Sequence, residues 1–294
     1  MVSPAGAGLA VDVFAPAKVN LYLQVVGRRP DGYHLLDSLV VFAGVGDTIT
    51  IRPSATLSLT IDGPMAPLLT GTPDNVVLKA ARGLAEASGV APAAAITLTK
   101  RLPVAAGIGG GSADGAAALR ALCRFWNIAP DETLLSRIGL SLGADLPVCL
   151  AGRPTQMAGI GEILSPAVAL PPAWLVLVNP RVGVSTPAVF KARHGDFSAP
   201  APLVETLRDV YDLAAALKRR RNDLAEPAIG LAPVIGDVLA AIGAEADCLL
   251  SRMSGSGATC FGLFADEGSA EAAAARLTAA HPNWWVAPAP LVER

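Results

Sequence analysis

Between residues 107 and 114 the chain reads Gly-Ile-Gly-Gly-Gly-Ser-Ala-Asp, with four glycines in the five positions from Gly107 to Gly111. Glycine tolerates φ above zero and places no side chain between backbone amides and a ligand. Ser112 is positioned to cap the helix that follows, whose first amides and positive dipole end would then face the loop. Such a site holds an anion, and a phosphate chain suits it, because a plain strand-to-helix turn needs fewer glycines. The candidate ATP-binding residues are Pro103, Val104, Ala105, Ala106, Gly107, Ile108, Gly109, Gly110, Gly111, Ser112 and Ala113. No lysine follows the glycines, which excludes a Walker loop, and the sixth position from Gly107 is Ser112, which excludes the dinucleotide fingerprint. Protein-kinase signatures are absent too, since Asp196-Phe197 is followed by Ser198.

Other residues could carry chemistry. Met253-Ser-Gly-Ser-Gly-Ala258 is a second glycine-rich turn; paired with the first, it would shape the phosphate end of a site. Asp145 lies in an apolar stretch from Leu140 to Leu150, where an ionised carboxylate needs a partner. It reads either as a general base or as a turn residue bonded to backbone. Lys18 and Asn20 share the polar face of an alternating strand, where a lysine is ordinarily solvated. Tyr33 and His34 follow a Pro-Asp-Gly turn, a place where such residues are commonly surface residues.

Three separated segments resemble the three motifs of the GHMP kinase superfamily, which includes galactokinase, homoserine kinase and mevalonate kinase. They are Pro16-Ala-Lys-Val-Asn-Leu21, the first glycine loop, and Met253–Ala258. Ala15–Leu23, Arg28–His34 and Gly143–Pro147 narrow the resemblance to the branch whose small-molecule substrate is a cytidine diphosphate-linked methylerythritol. The resemblance implies an α+β, two-domain fold, with an N-terminal glycine-loop ATP domain over 1–158 and a C-terminal ferredoxin-like domain over 159–294. It also implies ATP as co-substrate, with Mg2+, and transfer of the γ-phosphate to the tertiary 2-hydroxyl of the methylerythritol moiety. By resemblance Asp145 is the general base and Lys18 its partner. Tyr33 and His34 would hold the cytosine ring, and Asn20, Lys100, Thr186 and Phe190 are further substrate-site candidates; no metal ligand is assigned. Two departures stand out. Ala105 replaces a usual glycine, and Gly115 replaces a usual alanine at a cost of about 1 kcal/mol of helix stability.

Elements must position these residues. Residues 9 to 26 alternate as a half-buried strand, with Val11, Val13, Ala15, Ala17, Val19, Leu21, Leu23 and Val25 on one face, and Pro16 marks an edge or a break. Further strands are expected near 35–43, 47–52, 56–61, 95–101 and 174–178, with two more around 247–264. Helices are expected at 75–88, 113–126, 131–142, 203–219, 233–243 and 269–280, the last capped by Ser269. The Pro- and Gly-rich stretch Gly152–Pro172 is the candidate domain junction.

Composition bounds the rest. The chain has 294 residues, enough for two domains, and is 52% hydrophobic but only 16% charged. Prolines interrupt the longest uncharged run, Ile163–Pro180, so no membrane span is expected, and no signal peptide is seen. Four dispersed cysteines without a Cys-x-x-Cys pair suit a reducing cytoplasm. A net charge of −2 gives no reason to bind nucleic acid, and the basic run Lys218–Arg221 reads as a helix C-terminus. Oligomeric state is not legible.

Overall fold

The computed structural model describes residues 10–69, 75–129 and 131–292; residue 9, the first of the expected strand, lies outside them. In chain order the elements are β1 (Val11–Arg28), β2 (His34–Arg52), β3 (Ser58–Asp62), a 3-10 turn (Ala66–Leu69), α1 (Val76–Ser88), β4 (Ala95–Thr99), α2 (Gly110–Phe125), α3 (Glu132–Leu142) and α4 (Leu146–Ala151). There follow β5 (Thr155–Gly159), β6 (Ile163–Pro166), β7 (Trp174–Asn179), α5 (Thr186–Ala192), α6 (Val210–Lys218), α7 (Ala225–Leu231), α8 (Val234–Gly243), β8 (Leu250–Met253), β9 (Cys260–Phe264), α9 (Glu267–Ala280) and β10 (Trp285–Val292). The chain forms two compact units, neither of them continuous in sequence. One contains residues up to Pro16, then Gly46–Val104 and Gly110–Leu150; the other contains Ala17–Val45, Ala105–Gly109 and Ala151–Arg294.

In the first unit the end of β2 pairs antiparallel with β4 from Thr48↔Thr99 to Arg52↔Ala95, and β4 pairs in parallel with β3. Helices α1, α2 and α3 pack on one another. Alanines at 80, 81, 116, 117, 118 and 121 are buried there, so small side chains rather than aromatics let the helices approach. Asn75 caps α1 by accepting from Val77 N at 2.8 Å, and Asp131 caps α3.

The second unit carries an antiparallel sheet in the order β10-β7-β9-β8, with α9 packed on β7, β9 and β10 and α8 on β8 and β9. Numbered from β7, that order is 4-1-3-2 with two crossover helices, which is the expected ferredoxin-like arrangement. β5 pairs with β2 from Leu36↔Gly159 to Val40↔Thr155 and forms a hairpin with β6.

Several sequence expectations change. Gly152–Pro172, which begins just after the first unit ends at Leu150, holds the β5–β6 hairpin, with Gly159 and Gly161 at positive φ in its turn. The strands expected at 35–43 and 47–52 are one continuous strand. Residues 203–209 precede the helix expected there, which begins at Val210 after the cap Asp209. α9 starts at Glu267, capped by Asp266 Oδ1 accepting from Ser269 N, so Ser269 lies inside the helix rather than before it. β10 escaped notice because Pro288 and Pro290 interrupt it. Residues 285–290 pair only with β7, so the missing proline N–H groups remove no ladder bond on a second side.

Lys100 organises the first unit. Its ammonium donates to Asp47 Oδ2 at 2.6 Å and Asp114 Oδ2 at 2.7 Å, with all three side chains buried. Asp47 Oδ1 also accepts from Arg101 N and Leu102 N. Asp114 is less well served, for its Oδ1 has no hydrogen-bond partner among the described residues. Burial, reinforced by the Asp47 charge and opposed by Lys100, pushes the Asp114 carboxyl up to about 7. Between the ordinary carboxylate range and about 7 the folded protein therefore holds a proton that the unfolded chain has lost, and stability falls as pH rises through that window. Asp114→Asn should remove this dependence. Its melting temperature relative to the parent should rise between about pH 4 and pH 7, and a constant difference across that range would show that Asp114 does not titrate there.

Candidate active site

The glycine loop departs from a plain turn in its backbone. Ala105, Gly107 and Gly109 have φ of 53°, 73° and 60°. α2 begins at Gly110, earlier than expected, so Ser112 sits inside its first turn and is not the cap. A Cβ on Gly107 would lie 2.5 Å from Gly257 O and 2.8 Å from Ser254 O, so the second glycine-rich turn rests directly on the first. Thr259 N donates to Ala106 O, Lys18 N to Ile108 O, and Ser254 Oγ to Gly107 O. Three successive carbonyls of the loop are thereby tied down by the second unit's own residues.

Lys18 and Asn20 differ from expectation in burial. Lys18 is only 3% exposed and Asn20 is buried, although strand alternation assigned both to an open face. Both faces of β1 are covered from Ala17 to Val25, so the alternation of polar and apolar residues records two chemically different interiors. Lys18 Nζ donates to Asn20 Oδ1 at 2.9 Å, Asn20 Nδ2 donates to Ser38 Oγ at 2.8 Å, and Ser38 Oγ donates to Tyr22 O. Asn20 N donates to Ser254 Oγ at 3.1 Å. A lysine side chain held this way has lost most of its rotamer freedom before any substrate arrives.

Asp145 belongs to the first unit and immediately precedes α4, with its carbonyl accepting from Cys149 N. The next residue, Leu146, is fully buried and fits against two glycines. A Cβ on Gly115 would be 2.9 Å from Leu146 Cδ1, and one on Gly139 would be 2.8 Å from Leu146 Cδ2. Gly115 therefore does more than weaken α2, since it makes room for the residue that anchors Asp145.

The remaining candidates sort by unit. His34 opens β2 and stacks on Phe190 of α5, with ring centroids 5.1 Å apart and planes inclined by 22°. Burial, with help from Arg28 and Arg193, holds the His34 imidazole below its usual range. Tyr33 is 62% exposed beside it. Thr186 Oγ1 lies 2.7 Å from Ser256 Oγ in the second glycine turn. Lys100 lies in the first unit with two of its three donors on carboxylates.

Sequence reasoning missed Asp47 and Asn222, both buried, and gave Asp114 and Ser254 no role beyond membership of their motifs. Only Asn222 left a local signal, an Asn-Asp pair after a helix end, which reads as a turn.

Ala105 carries a cost that glycine would avoid. Its φ of 53° is a left-handed conformation at an exposed position where the resembling family usually has glycine. Such a conformation costs an alanine about 1–2 kcal/mol, partly offset by the greater freedom of glycine in the unfolded chain. Ala105→Gly should raise stability by roughly 0.5–1 kcal/mol in denaturant titrations. A loss of stability would mean that the loop is not strained there.

Comparison with known proteins agrees with this geometry. The family model described as the GHMP kinases N terminal domain matches residues 75–153, and the model for the GHMP kinases C terminal matches residues 203–283. A protein of Paramagnetospirillum magneticum called 4-diphosphocytidyl-2-C-methyl-D-erythritol kinase is 66% identical over 95% of this chain and 97% of its own length. A Rhodospirillum rubrum protein of the same name is 59% identical, over 92% of this chain and 89% of its own. Among solved structures, a 4-(cytidine 5'-diphospho)-2C-methyl-D-erythritol kinase aligns with a TM-score of 0.79 and 35% identity, over 95% of this chain and 98% of that one. Homoserine kinase from Cytophaga hutchinsonii shares the fold, with a TM-score of 0.71 at 17% identity. With both domains matched and this identity along nearly its whole length, the chain belongs to the GHMP kinases.

Proposed function

We propose that this protein is an ATP-dependent kinase that phosphorylates the tertiary 2-hydroxyl of 4-diphosphocytidyl-2-C-methyl-D-erythritol, an isoprenoid-precursor reaction. The observation that carries the substrate reading is the aromatic cluster at the head of β2. His34 is stacked on Phe190, is held towards its neutral form, and has the exposed Tyr33 ring next to it. Flat rings with polar edges suit a pyrimidine, through stacking and through hydrogen bonds from a neutral imidazole. The 66% and 59% identical relatives of that name support the same choice.

In this reading residues 103–113 hold the ATP phosphates through backbone amides and the start of α2. Asp145 accepts the proton of the 2-hydroxyl as that oxygen attacks the γ-phosphorus; the bond to the β,γ-bridging oxygen breaks and ADP leaves. Lys18, fixed by Asn20, offsets the charge that develops on the transferring group. Asn20 and Thr186, both in the second unit, would bond the substrate's polar groups, with Lys100 of the first unit a further contact. Magnesium would accompany ATP and would offset the charge of its phosphates. No described helix is long and apolar enough to cross a membrane. The four cysteines form no disulfide, which supports a cytoplasmic setting.

The selectivity test is a coupled ADP-release assay across diphosphocytidyl-methylerythritol, homoserine, mevalonate and galactose. Turnover is expected with the first alone, and robust turnover of any of the others would reassign the substrate. The mechanistic test is Asp145→Asn, which keeps the shape but cannot take the proton. Its kcat should fall about 10²–10⁴-fold, with ligand affinities little changed. Lys18→Met should also lower kcat, and the double variant should lose less than the product of the single losses. Near-parental turnover by a folded Asp145→Asn protein would remove Asp145 as the base.

A further inference from the structure

Beside β1, residues 221–223 form a short parallel addition. Leu23 N donates to Arg221 O at 3.1 Å, Asp223 N donates to Leu23 O at 2.9 Å, and Val25 N donates to Asp223 Oδ2 at 2.7 Å. At its centre, Asn222 is buried and turns its side chain towards the second glycine-rich turn. Both protons of Asn222 Nδ2 are engaged, on Met253 O and Gly255 O, each at 2.8 Å, while Oδ1 accepts from Leu224 N at 2.9 Å. Between the two clamped carbonyls lies Ser254, whose hydroxyl accepts from Asn20 N and donates to Gly107 O. The Ser254 hydroxyl thus makes two bonds, one to the strand that carries Lys18 and one to the glycine loop.

We propose that Asn222 is a positioning residue of the phosphoryl-transfer site, clamping the Met253–Gly255 turn so that Ser254 holds Asn20 and Gly107 in register. This deepens the function proposed above and rests on it. Turn bond and clamp are separable within one side chain. The bond from Leu224 N uses Oδ1, which any acceptor of the same shape supplies; the clamp uses the two Nδ2 protons, which only an amide supplies at this position. Gly255 has φ of 56°, and a Cβ there would lie 2.8 Å from Gly107 O, so at this position the turn meets the loop backbone to backbone and Ser254 is the side chain that ties the two. Without the clamp, two buried carbonyls lose their donors and the turn is free to move away from Gly107.

The experiment compares Asn222→Asp, Ser254→Ala and the double variant in the full chain. Steady-state kinetics for both substrates, calorimetry with a non-hydrolysable ATP analogue and thermal melts are read together. Asn222→Asp keeps the acceptor for Leu224 N but lacks both donors. Its kcat per folded molecule should fall roughly 10–100-fold, since displacements of about an ångström at a transfer site have effects of that size. KM for ATP should rise while KM for the second substrate moves little. The double variant should be no worse than the poorer single variant, because both changes break one relay. A purely structural residue would lower the melting temperature and leave kcat per folded molecule and KM for ATP at parental values; that result overturns the proposal, as do single losses that multiply. If Asn222→Asp does not fold, Ser254→Ala alone decides, and parental kinetics there overturn it as well. A parent that turns over no cytidine-bearing substrate removes the proposed function instead. The clamp is then judged by calorimetry, where parental affinity for the ATP analogue in both single variants would overturn it.

Discussion

A strand with polar side chains buried on one of its faces must have those groups bonded, and that constraint shapes the second unit. Lys18, Asn20, Tyr22 and Gln24 alternate along β1 with apolar residues, and all four are out of water. Each unbonded polar group there would cost about 1–3 kcal/mol. The strand's partners are arranged accordingly. Ser38 bonds Asn20, and the Tyr22 hydroxyl lies 3.0 Å from Asp37 Oδ1 and 2.9 Å from Gln156 Oε1. Burial and the Asp37 charge push the Tyr22 phenol well above its usual range, so it remains a hydrogen-bond donor. Gln24 is the exception in part: its Nε2 reaches Ala199 O, but its Oε1 has no hydrogen-bond partner among the described residues. Lys18 and Asn20 are thus the end of a longer row, and the same row that fixes them also gives the unit much of its polar interior.

The stretch from Ser198 to Glu205 has no regular secondary structure, and it is held in place by this row. Ala201 N donates to Asp37 Oδ2, Gln156 Nε2 to Leu203 O, and Ser198 Oγ to Asp223 Oδ2. Arg220, buried at the end of α6, donates to the carbonyls of Ala201, Pro202 and Ala216 and pairs with Glu205. Its guanidinium also stands over the Tyr22 ring at 5.6 Å. The basic run Lys218–Arg221 therefore works only in part as a helix terminus. Its central member substitutes for missing strand partners, a task suited to the fixed five-donor fork of arginine.

Much of the site was legible because its chemistry needs residue types that leave local marks. Four glycines in five positions announce a loop with left-handed backbone, and three of the residues from Ala105 to Gly109 have it. The starts of α1 and α3 were legible, expected at 75 and 131, where Asn75 and Asp131 turn out to cap the helices at short range. What the sequence did not reveal depends on partners far along the chain. Lys18 read as solvated because periodicity separates polar from apolar faces but cannot say that a polar face is covered. Asp47 and Asp114 are separated from Lys100 by 53 and 14 residues, and Asn222 lies 33 residues from Gly255. No window of neighbouring residues contains those pairs.

The two glycine-rich turns show why distance in sequence and closeness in space matter together. Gly107 tolerates Ser254 and Gly257 only because it has no Cβ, and Gly255 tolerates Gly107 for the same reason. The contact is backbone against backbone, so its rigidity cannot come from interlocking side chains. It comes from hydrogen bonds supplied at the margins: Ser254 from within the turn, Thr259 just after it, and Asn222 from a separate segment. A loop made almost wholly of glycine has the largest backbone entropy to lose on becoming ordered. Bracing it through its carbonyls, as Thr259, Ser254 and Lys18 do at Ala106, Gly107 and Ile108, leaves its amides outside the brace. For a loop whose proposed ligand is an anion, those amides are the groups that must stay available.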